Sequence, residues 1–589
     1  MSWYSEYKIQ LGVITLSIII AILVLVSDNE LQATKIIDSD VFHSSYSNNK
    51  TLYGVNSTKN LKQKFSDKVY GGIVSHHLLS NIDIAKFFYE FSDQDVDRVI
   101  LIGPNHFYPT TFPALSTNLN YKTPFGEVVV DSVYLEKLIS QKLVQVDNTT
   151  VDTEHSISSL VPYIAKYLPE AKLVPIILIR NAPDKLLGSL SEFLKENNTE
   201  NTVVIASVDF SHHLFSNTSR LHDLRSISAI KSFDIKSLSE LEVDSPQSLN
   251  VLLRYLMSID VQDISLWQQN AAVIFDEHDI EDVTSYVFAH ARKGDIRPEE
   301  SVSVMFFGDT MLGRGVEEVI SDGTDLFAGI RGPEGNFLRG YDAIAVNLEG
   351  AIASDSCTLN EDGLLIQPEN LNVLTKEKIS HAGIANNHFG RCNEETALSK
   401  VAEVNLKSFS SNEVSTIQGT GMDVGVISVY AAPVPNDFSE IVEKVKTASK
   451  DYDNLIVNVH WGVEYNTEPT SLQKELAHAM VDVGANIIIG HHPHVVQPVE
   501  VYNGSIIAYS LGNFISDQGG ELTKSGIAAG VFLEKESSKL FIFPFEQIDG
   551  IPVHLTQEDS RKVCENLYNT NIQDYISDQH PCVIEVSND

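Results

Sequence analysis

The 589-residue sequence has few cysteines and few basic residues. Its four cysteines are too few for a disulfide framework and lack the C-x-x-C spacing of a zinc site, although one or two disulfides are expected if the compartment is oxidising. Only 42 Lys and Arg face 79 Asp and Glu, giving a net charge of -37. A chain this acidic is not expected to be attracted to the phosphates of nucleic acid, so we expect no nucleic-acid partner.

Long apolar runs are also scarce, and only residues 9–26 have membrane character. This stretch carries no charge over about 18 residues, which is near the minimum for a spanning helix. It is interpreted as an uncleaved transmembrane anchor within residues 1–30, and the alternative is a cleaved signal peptide. The anchor predicts a single-pass cell-membrane protein with most of the chain outside the cytoplasm. Residues 31–68 are polar and are interpreted as a linker.

The remainder of the chain is long enough for two domains. Short apolar runs typical of buried strands alternate with amphipathic helical stretches, first over residues 69–292 and then over residues 301–589. The charged segment between them contains a Gly and a Pro and is the predicted boundary. The sequence therefore predicts two layered α/β domains after the anchor.

In the second domain, polar side chains follow five apolar strands. Ligands of open α/β sheets bind beyond the carboxyl ends of the strands, so these side chains are expected to converge. Carboxylates, an Asn carbonyl and imidazoles suit Mn, Fe or Zn, and one or two such ions can activate a water. The clustered residues are Asp309, Glu349, Asn387, His388, His460, His491, His492 and His494.

The motifs GDTMLGR, NLEG, ANNH, HWGVEY and GHHPHVVQPVEVYNG resemble the CapA family of poly-gamma-glutamate capsule synthesis. The resemblance implies a calcineurin-like metallophosphatase sandwich with His388 as general acid. Either His491 or His492 would pair with His494 as a ligand. Two positions depart from related patterns: Arg391 stands where the family usually has an Asp, and Met311 stands where many metallophosphatases have a His. The implied metal ligands are Asp309, Glu349, Asn387, His460, His492 and His494.

The first domain carries the motifs SHH, GPNH, EHSI and DFSHH, which resemble the Memo-like family, including the AmmeMemoRadiSam system protein B. That family has a fold akin to non-haem iron dioxygenases, and its proposed metal ligands are two His and a later Cys. By motif the first two ligands would be His76 and His106, but no cysteine precedes Cys357. Asp209 and His212 are expected to pair as a general base or ligand. The alternative is a scaffold that binds a partner without turnover.

These features predict an envelope protein whose CapA-like domain performs metal-dependent hydrolysis or transfer during capsule or surface-polymer synthesis. Its expected partner is an anionic polymer resembling poly-gamma-glutamate, or a phosphate-containing precursor. The alternative is a non-catalytic assembly or binding factor in which both domains act as scaffolds for envelope protein partners.

Overall fold

The structure is a computed structural model. It describes residues 42–587, with gaps at 62–63, 108, 271–281, 333–335, 355–356, 358–363, 412, 569–571 and 578–579. Over this range the chain is a mixed α/β fold with several sheets.

The prediction of an N-terminal transmembrane helix is corrected by the structure. No helix among the described residues has the length and apolar character needed to cross a membrane. The longest of them, Ser216–Lys231, has 16 residues and is largely polar, whereas a spanning helix needs about 20 apolar residues. The predicted anchor at residues 9–26 lies outside the described residues. The predicted single-pass membrane location is accordingly not supported.

The first part of the chain is built on an eight-stranded sheet with strand order β10-β11-β2-β9-β3-β8-β4-β7, and a small sheet has the order β1-β5-β6. The strands are β1 Phe42–Ser44, β2 Val69–Val74, β3 Arg98–Pro104, β4 Ala114–Ser116, β5 Asn120–Thr123, β6 Gly126–Val128, β7 Gln145–Val146, β8 Lys172–Leu178, β9 Thr202–Ser207, β10 Asp263–Asn270 and β11 Ser285–Arg292.

The central strands β2, β9, β3 and β8 are parallel to one another. Their continuous apolar sequences are buried, as expected for strands covered on both faces. The α-helices of this part are Asn81–Tyr89, Ser132–Ser140, Asn148–Thr153, His155–Ser158, Val161–Tyr167, Asp184–Asn197, Ser216–Lys231 and Pro246–Ser258.

The second part contains a nine-stranded sheet and a six-stranded sheet. The first follows the order β17-β16-β13-β12-β25-β26-β27, with β24 on β12 and β28 on β26; the second follows β18-β19-β20-β21-β23-β22. The strands are β12 Ser301–Thr310, β13 Ala343–Leu348, β14 Ala351–Ile352, β15 Leu365–Ile366, β16 His381–Gly383, β17 Lys407–Phe409, β18 Ser415–Gln418, β19 Asp423–Ala431, β20 Leu455–Trp461, β21 Ile487–His491, β22 Val496–Tyr502, β23 Ser505–Leu511, β24 Asn513–Ile515, β25 Ser525–Glu534, β26 Ser537–Ile548, β27 Ile551–His554 and β28 Val583–Ser587.

These two sheets pack face to face, because one buried apolar cluster contains Val304 of β12 together with Ile456 of β20 and Ile487 of β21. Separate apolar clusters cover the outer face of each sheet. The α-helices of this part are Gly315–Ser321, Asn372–Lys376, Glu394–Glu403, Ser439–Ala448, Ser471–Val481 and Gln557–Leu567.

The two parts of the chain are joined by buried contacts. Leu221, on the helix Ser216–Lys231 of the first part, lies in the same apolar cluster as Met305 and Phe543 of the second. Arg225 on the same helix forms a buried ion pair with Asp342 at 2.8 Å. The predicted boundary falls where β11 ends and β12 begins, and its exact position stays a prediction.

All four cysteines are paired, in the disulfides Cys357–Cys392 and Cys564–Cys582.

Candidate metal centre

The carboxyl ends of parallel strands from both sheets of the second part meet at one site. Asp309 is the penultimate residue of β12, and Glu349 follows β13 directly. From the facing sheet, His460 is the penultimate residue of β20, and His491 ends β21. Because β12 and β13 are parallel, as are β20 and β21, the sequence positions at strand ends become neighbours in space.

Asp309 is the most heavily hydrogen-bonded member of the site. Its fully buried carboxylate accepts from Nδ2 of Asn347 at 2.7 Å and from the backbone N–H of His492 at 3.2 Å. Nδ1 of His494 lies 3.0 Å from Oδ2. Burial alone would raise the pKa of Asp309, but the hydrogen bond from His494 and the charge of that imidazole hold the pKa well below its usual range.

Glu349 has the opposite environment. It is fully buried, and neither carboxylate oxygen has a hydrogen-bond partner in the part of the chain that the structure describes. Burial and the nearby charge of Asp309 raise the pKa of Glu349 to about 8. The nearest imidazole nitrogens are Nε2 of His388, 3.5 Å from Oε1, and Nε2 of His494, 3.8 Å from the same oxygen.

His460 and Asn387 contact each other across the two sheets. Nε2 of His460 lies 2.9 Å from Oδ1 of Asn387, and its Nδ1 lies 3.3 Å from Nδ2 of Asn347. Burial lowers the pKa of His460 well below the ordinary value. The imidazole is therefore neutral, which is the protonation state a metal ligand needs.

The turn after β21 brings both His491 and His492 to the site. Nε2 of His491 is 2.9 Å from Oδ1 of Asn458, and its Nδ1, which has no hydrogen-bond partner among the described residues, lies 3.7 Å from Oδ1 of Asp309. His492 shares a potential ligand group with His494 and Glu464, whose ligand atoms lie within 4.8 Å of one another. Both His492 and His494 have positive φ, 95° and 58°, an uncommon backbone state for non-glycine residues that concentrates at functional sites.

The residues fit a divalent metal. Asp309, Glu349 and His460 form a second potential ligand group, fully buried and also within 4.8 Å. The two oxygens of Glu349 and Nδ1 of His492 are buried without a hydrogen-bond partner among the described residues. A buried carboxylate without a partner costs several kcal/mol, and a bound cation removes that cost. The mixture of oxygen and imidazole donors suits Mn, Fe or Zn.

The sequence did not single out Glu464. It lies four residues after His460, in the loop that follows β20, and is exposed. Its position inside the motif HWGVEY was the sequence signal that could have identified Glu464 as a candidate ligand.

His388, the predicted general acid, lies at the edge of the site. Burial and the charge of Arg391 lower its pKa to about 4, so the imidazole is neutral near pH 7. Its Nδ1 is buried and has no hydrogen-bond partner among the residues described. Arg391 donates from Nε to the backbone oxygen of Asn387 instead. Met311 is buried, with its sulfur 3.6 Å from the hydroxyl of Ser516.

In the first part of the chain, predicted residues also converge. His76, His106 and Asp209 lie at the carboxyl ends of β2, β3 and β9, and Nε2 of His76 is 3.3 Å from Oδ2 of Asp209. The expected Asp209–His212 pair has no hydrogen bond in the structure. Oδ1 of Asp209 accepts instead from the hydroxyl of Ser75 and the backbone N–H of His76. Burial raises the pKa of Asp209, but the charges of His76 and His212 lower it, so the pairing of Asp209 with His212 stays a prediction.

The packed α/β layers place buried carboxylates and imidazoles together at strand ends, an arrangement that can hold a divalent metal. The family model of the bacterial capsule synthesis protein PGA_cap matches residues 303–410 and 393–518. The PGA biosynthesis protein CapA of Bacillus subtilis is 31% identical over 293 residues, covering 45% of this chain and 76% of that protein. The capsule biosynthesis protein CapA of Bacillus anthracis is 30% identical over 312 residues, covering 46% and 74%. The chain belongs to the CapA family.

The first part has separate relatives. The Memo-like protein family model matches residues 57–256. A MEMO1 family protein of Sulfurisphaera tokodaii is 28% identical over 175 residues, covering 29% of this chain and 59% of that protein. The chain thus spans about three fifths of this Memo-like relative. Both resemblances expected from the motifs, CapA-like and Memo-like, are confirmed.

Proposed function

We propose that the CapA-like region is a metal-dependent hydrolase or transferase acting on an anionic surface polymer resembling poly-gamma-glutamate, or on its phosphate-containing precursor, during capsule synthesis. The observation that carries this proposal is the buried carboxylate of Glu349 beside Asp309 and His494, neither oxygen of which has a hydrogen-bond partner among the described residues. The names of the two Bacillus relatives support capsule synthesis as the process.

Asp309, Glu349, Asn387, His460, His492 and His494 are the residues that would hold the metal, with Glu464 at the open side. A bound divalent ion supplies Lewis-acid polarisation and a water that ionises near neutral pH. The protein's own contribution is orientation: Asn347 and His494 fix the Asp309 carboxylate, and Nδ2 of Asn347 also lies 3.3 Å from Nδ1 of His460. Such hydrogen bonds to ligating side chains set ring orientation and basicity.

An acidic protein must still attract an anionic substrate. Arg314 and Arg391 both lie close enough to His388 to lower its pKa through their charges. Arg314 is also paired with Asp517 at 2.6 Å. Positive charge at the mouth of a cleft raises the local concentration of an anion even when the net charge of the protein is negative.

The test is hydrolysis of a generic phosphodiester, bis-p-nitrophenyl phosphate, and cleavage of poly-gamma-glutamate by the full-length chain with added Mn²⁺. Glu349→Gln keeps the side-chain shape and removes the charge, so activity on either substrate is expected to fall at least a hundredfold. Glu403→Gln, at an exposed position whose side chain pairs with Lys400, is the matched control. Equal rates in wild type and Glu349→Gln would refute the proposed site.

A non-catalytic capsule-assembly factor is the second candidate. Nδ1 of His388 and the arginine at position 391 favour it, because among the described residues no carboxylate accepts from that ring nitrogen. Under this candidate, the protein binds poly-gamma-glutamate or a protein partner without turnover. Binding of the polymer, measured by calorimetry, without any chain shortening over hours would support it over the enzyme.

A further inference from the structure

A second cluster of ligand-type side chains lies at the carboxyl edge of the eight-stranded sheet, in the Memo-like part of the chain. β9 lies between β2 and β3 and is parallel to both. His76 follows β2 by two residues, and His106 follows β3 by two. Asp244 comes from elsewhere: it lies in the loop that precedes the helix Pro246–Ser258, and its backbone N–H donates to the carbonyl of Asp209 at 3.1 Å.

The side chain of Asp244 is aimed between the two imidazoles. Its Oδ2 lies 3.4 Å from Nε2 of His76 and 3.5 Å from Nε2 of His106. These separations are longer than good hydrogen bonds, which are at most about 3.2 Å. They match the roughly 3.0 to 3.5 Å between two ligands that each lie about 2.1 Å from one shared ion.

Oδ2 of Asp244 has no other hydrogen-bond partner among the described residues. The Asp244 side chain is 10% exposed, and Oδ2 is buried. Its other oxygen, Oδ1, accepts from the backbone N–H of Asp209 at 3.2 Å, which fixes the direction of Oδ2. An acceptor held in place but unsatisfied is a costly feature unless something binds it.

Both imidazoles are oriented by hydrogen bonds at the ring nitrogen that faces away from Asp244. Nδ1 of His76 lies 3.0 Å from the hydroxyl of Ser207, and Nδ1 of His106 lies 2.9 Å from Oε1 of the buried Glu154. A carboxylate or hydroxyl on the second ring nitrogen is the usual support of a metal-bound histidine. Nε2 of each ring then faces Oδ2 of Asp244, and Nε2 of His76 also faces Oδ2 of Asp209 at 3.3 Å.

We propose that His76, His106 and Asp244 form a two-histidine, one-carboxylate site for a divalent first-row metal, Fe(II) or Mn(II), in the Memo-like part of the chain. Asp244 supplies the third ligand in place of the cysteine that this part of the chain lacks. Replacing a thiolate by a carboxylate shifts the site toward harder ions and leaves coordination positions open. His106 and His155 are 26% and 30% exposed, so the cluster has a solvent-facing side.

The competing explanation is an ion-pair network in which protonated imidazoles satisfy Asp244 without any metal. The two explanations differ in metal content. The background protein is the full-length chain with the substitutions His492→Ala and His494→Ala, which remove two of the ligands of the CapA-like centre. After incubation with Fe(II) under anaerobic conditions and gel filtration, this background is expected to retain iron, and Asp244→Asn in the same background is expected to retain at least tenfold less.

The matched control is Asp295→Asn, at an exposed position between the two parts of the chain, which is expected to leave the iron content unchanged. A background chain without iron, or an Asp244→Asn chain with undiminished iron, would overturn the proposal. Circular dichroism and the melting temperature establish whether Asp244→Asn is folded.

A second variant reports ligation directly. Asp244→Cys, loaded with Co(II), is expected to show a thiolate-to-cobalt charge-transfer absorption that the unsubstituted background lacks. A cobalt-loaded Asp244→Cys protein without this absorption would place residue 244 outside the coordination sphere and contradict the assignment, whatever the stability of Asp244→Asn.

Discussion

Nδ1 of His494 lies 3.0 Å from Oδ2 of Asp309, so the turn after β21 contacts the end of β12 in the facing sheet. Nε2 of the same ring faces Oε1 of Glu349 at 3.8 Å. One imidazole is thus set between two buried carboxylates, of which one is hydrogen-bonded and the other is not. Burial would lower the pKa of His494, but the hydrogen bond to Asp309 and the charge of Glu349 raise it to about 9. The centre depends on the packing of two sheets as much as on any single strand.

Metal binding at this centre should stabilise the folded protein. A ligand that binds only the folded state at 100 times its Kd adds about 2.7 kcal/mol, which corresponds to roughly 2 to 5 °C in Tm. Differential scanning calorimetry of the full-length chain should show this increase with Mn²⁺ and its loss with a chelator. Glu349→Gln should show a smaller increase or none, and Glu403→Gln the full increase. An undiminished increase in Glu349→Gln would contradict the assignment of Glu349 as a ligand.

Arg391→Asp should raise the rate of phosphodiester hydrolysis. The substitution replaces the cation that lowers the pKa of His388 with an anion that raises it, and it offers a carboxylate to the unpartnered Nδ1. The expected gain is on the order of tenfold, the lower part of the range for a positioned proton donor. Steady-state kinetics against pH measure it, with exposed Lys376→Asp as the control for the charge change. A rate that does not change would show that His388 takes no part in proton transfer.

Several features of the centre followed from the sequence because they depend on local pattern. Asp309, Glu349 and His460 end or follow apolar strands, and parallel strands bring such positions to one edge. Asp244 and Glu464 did not follow from it. Asp244 precedes a helix and reaches the two imidazoles only through its loop, and Glu464 lies on a loop. The expected Asp209–His212 pair stays a prediction: no hydrogen bond joins the two side chains, but against the effect of burial the charges of His76 and His212 lower the pKa of Asp209.

The contact between the two parts of the chain also could not be predicted from the local sequence pattern. The helix Ser216–Lys231 buries polar and apolar residues together, because it is covered by both parts of the chain. Leu221 of this helix packs so closely on β25 that a Cβ at Gly530 would lie 2.5 Å from its side chain. Such an approach depends on the tertiary arrangement, which a single sequence does not specify.

Leu221→Ala should destabilise the protein by about 2 to 5 kcal/mol, the usual cost of a cavity at a fully buried leucine. Because the residue belongs to the first part of the chain and the cavity forms in the core of the second, probes in both parts should report the loss. Denaturant unfolding followed by circular dichroism and by limited proteolysis measures it. Val133→Ala, at a position 64% exposed, is the control and should have little effect. Loss of stability confined to the first part would contradict a shared core.

Asp223 should make stability depend on pH. Burial raises the pKa of Asp223 to about 7, despite hydrogen bonds from Ser285 and Ser211, and its Oδ2 has no partner among the described residues. The unfolded carboxyl ionises near pH 4, so the folded state holds an extra proton between about pH 4 and 7. The contribution of this group to stability therefore falls as pH rises through that window and stays at its lowest value above it.

Asp223→Asn removes this dependence. The variant should be more stable than wild type by a few kcal/mol at pH 8, with the difference shrinking toward pH 4. Chemical denaturation at several pH values measures the difference, and Asp295→Asn, an exposed substitution, should show none. A stability gain that is the same at pH 4.5 and pH 8 would show that Asp223 is already ionised in the folded protein.

The most direct test of the CapA-like centre is elemental analysis of the full-length chain. The two parts share a buried core, so the intact protein rather than either half is the right sample. Asp244→Asn is used as the background, so that metal in the Memo-like part is not counted. We predict about one or two Mn, Fe or Zn ions per chain after supplementation and removal of loose metal, and at least a tenfold loss on adding Asp309→Ala. A background chain without metal, or one whose metal survives Asp309→Ala, would contradict the account.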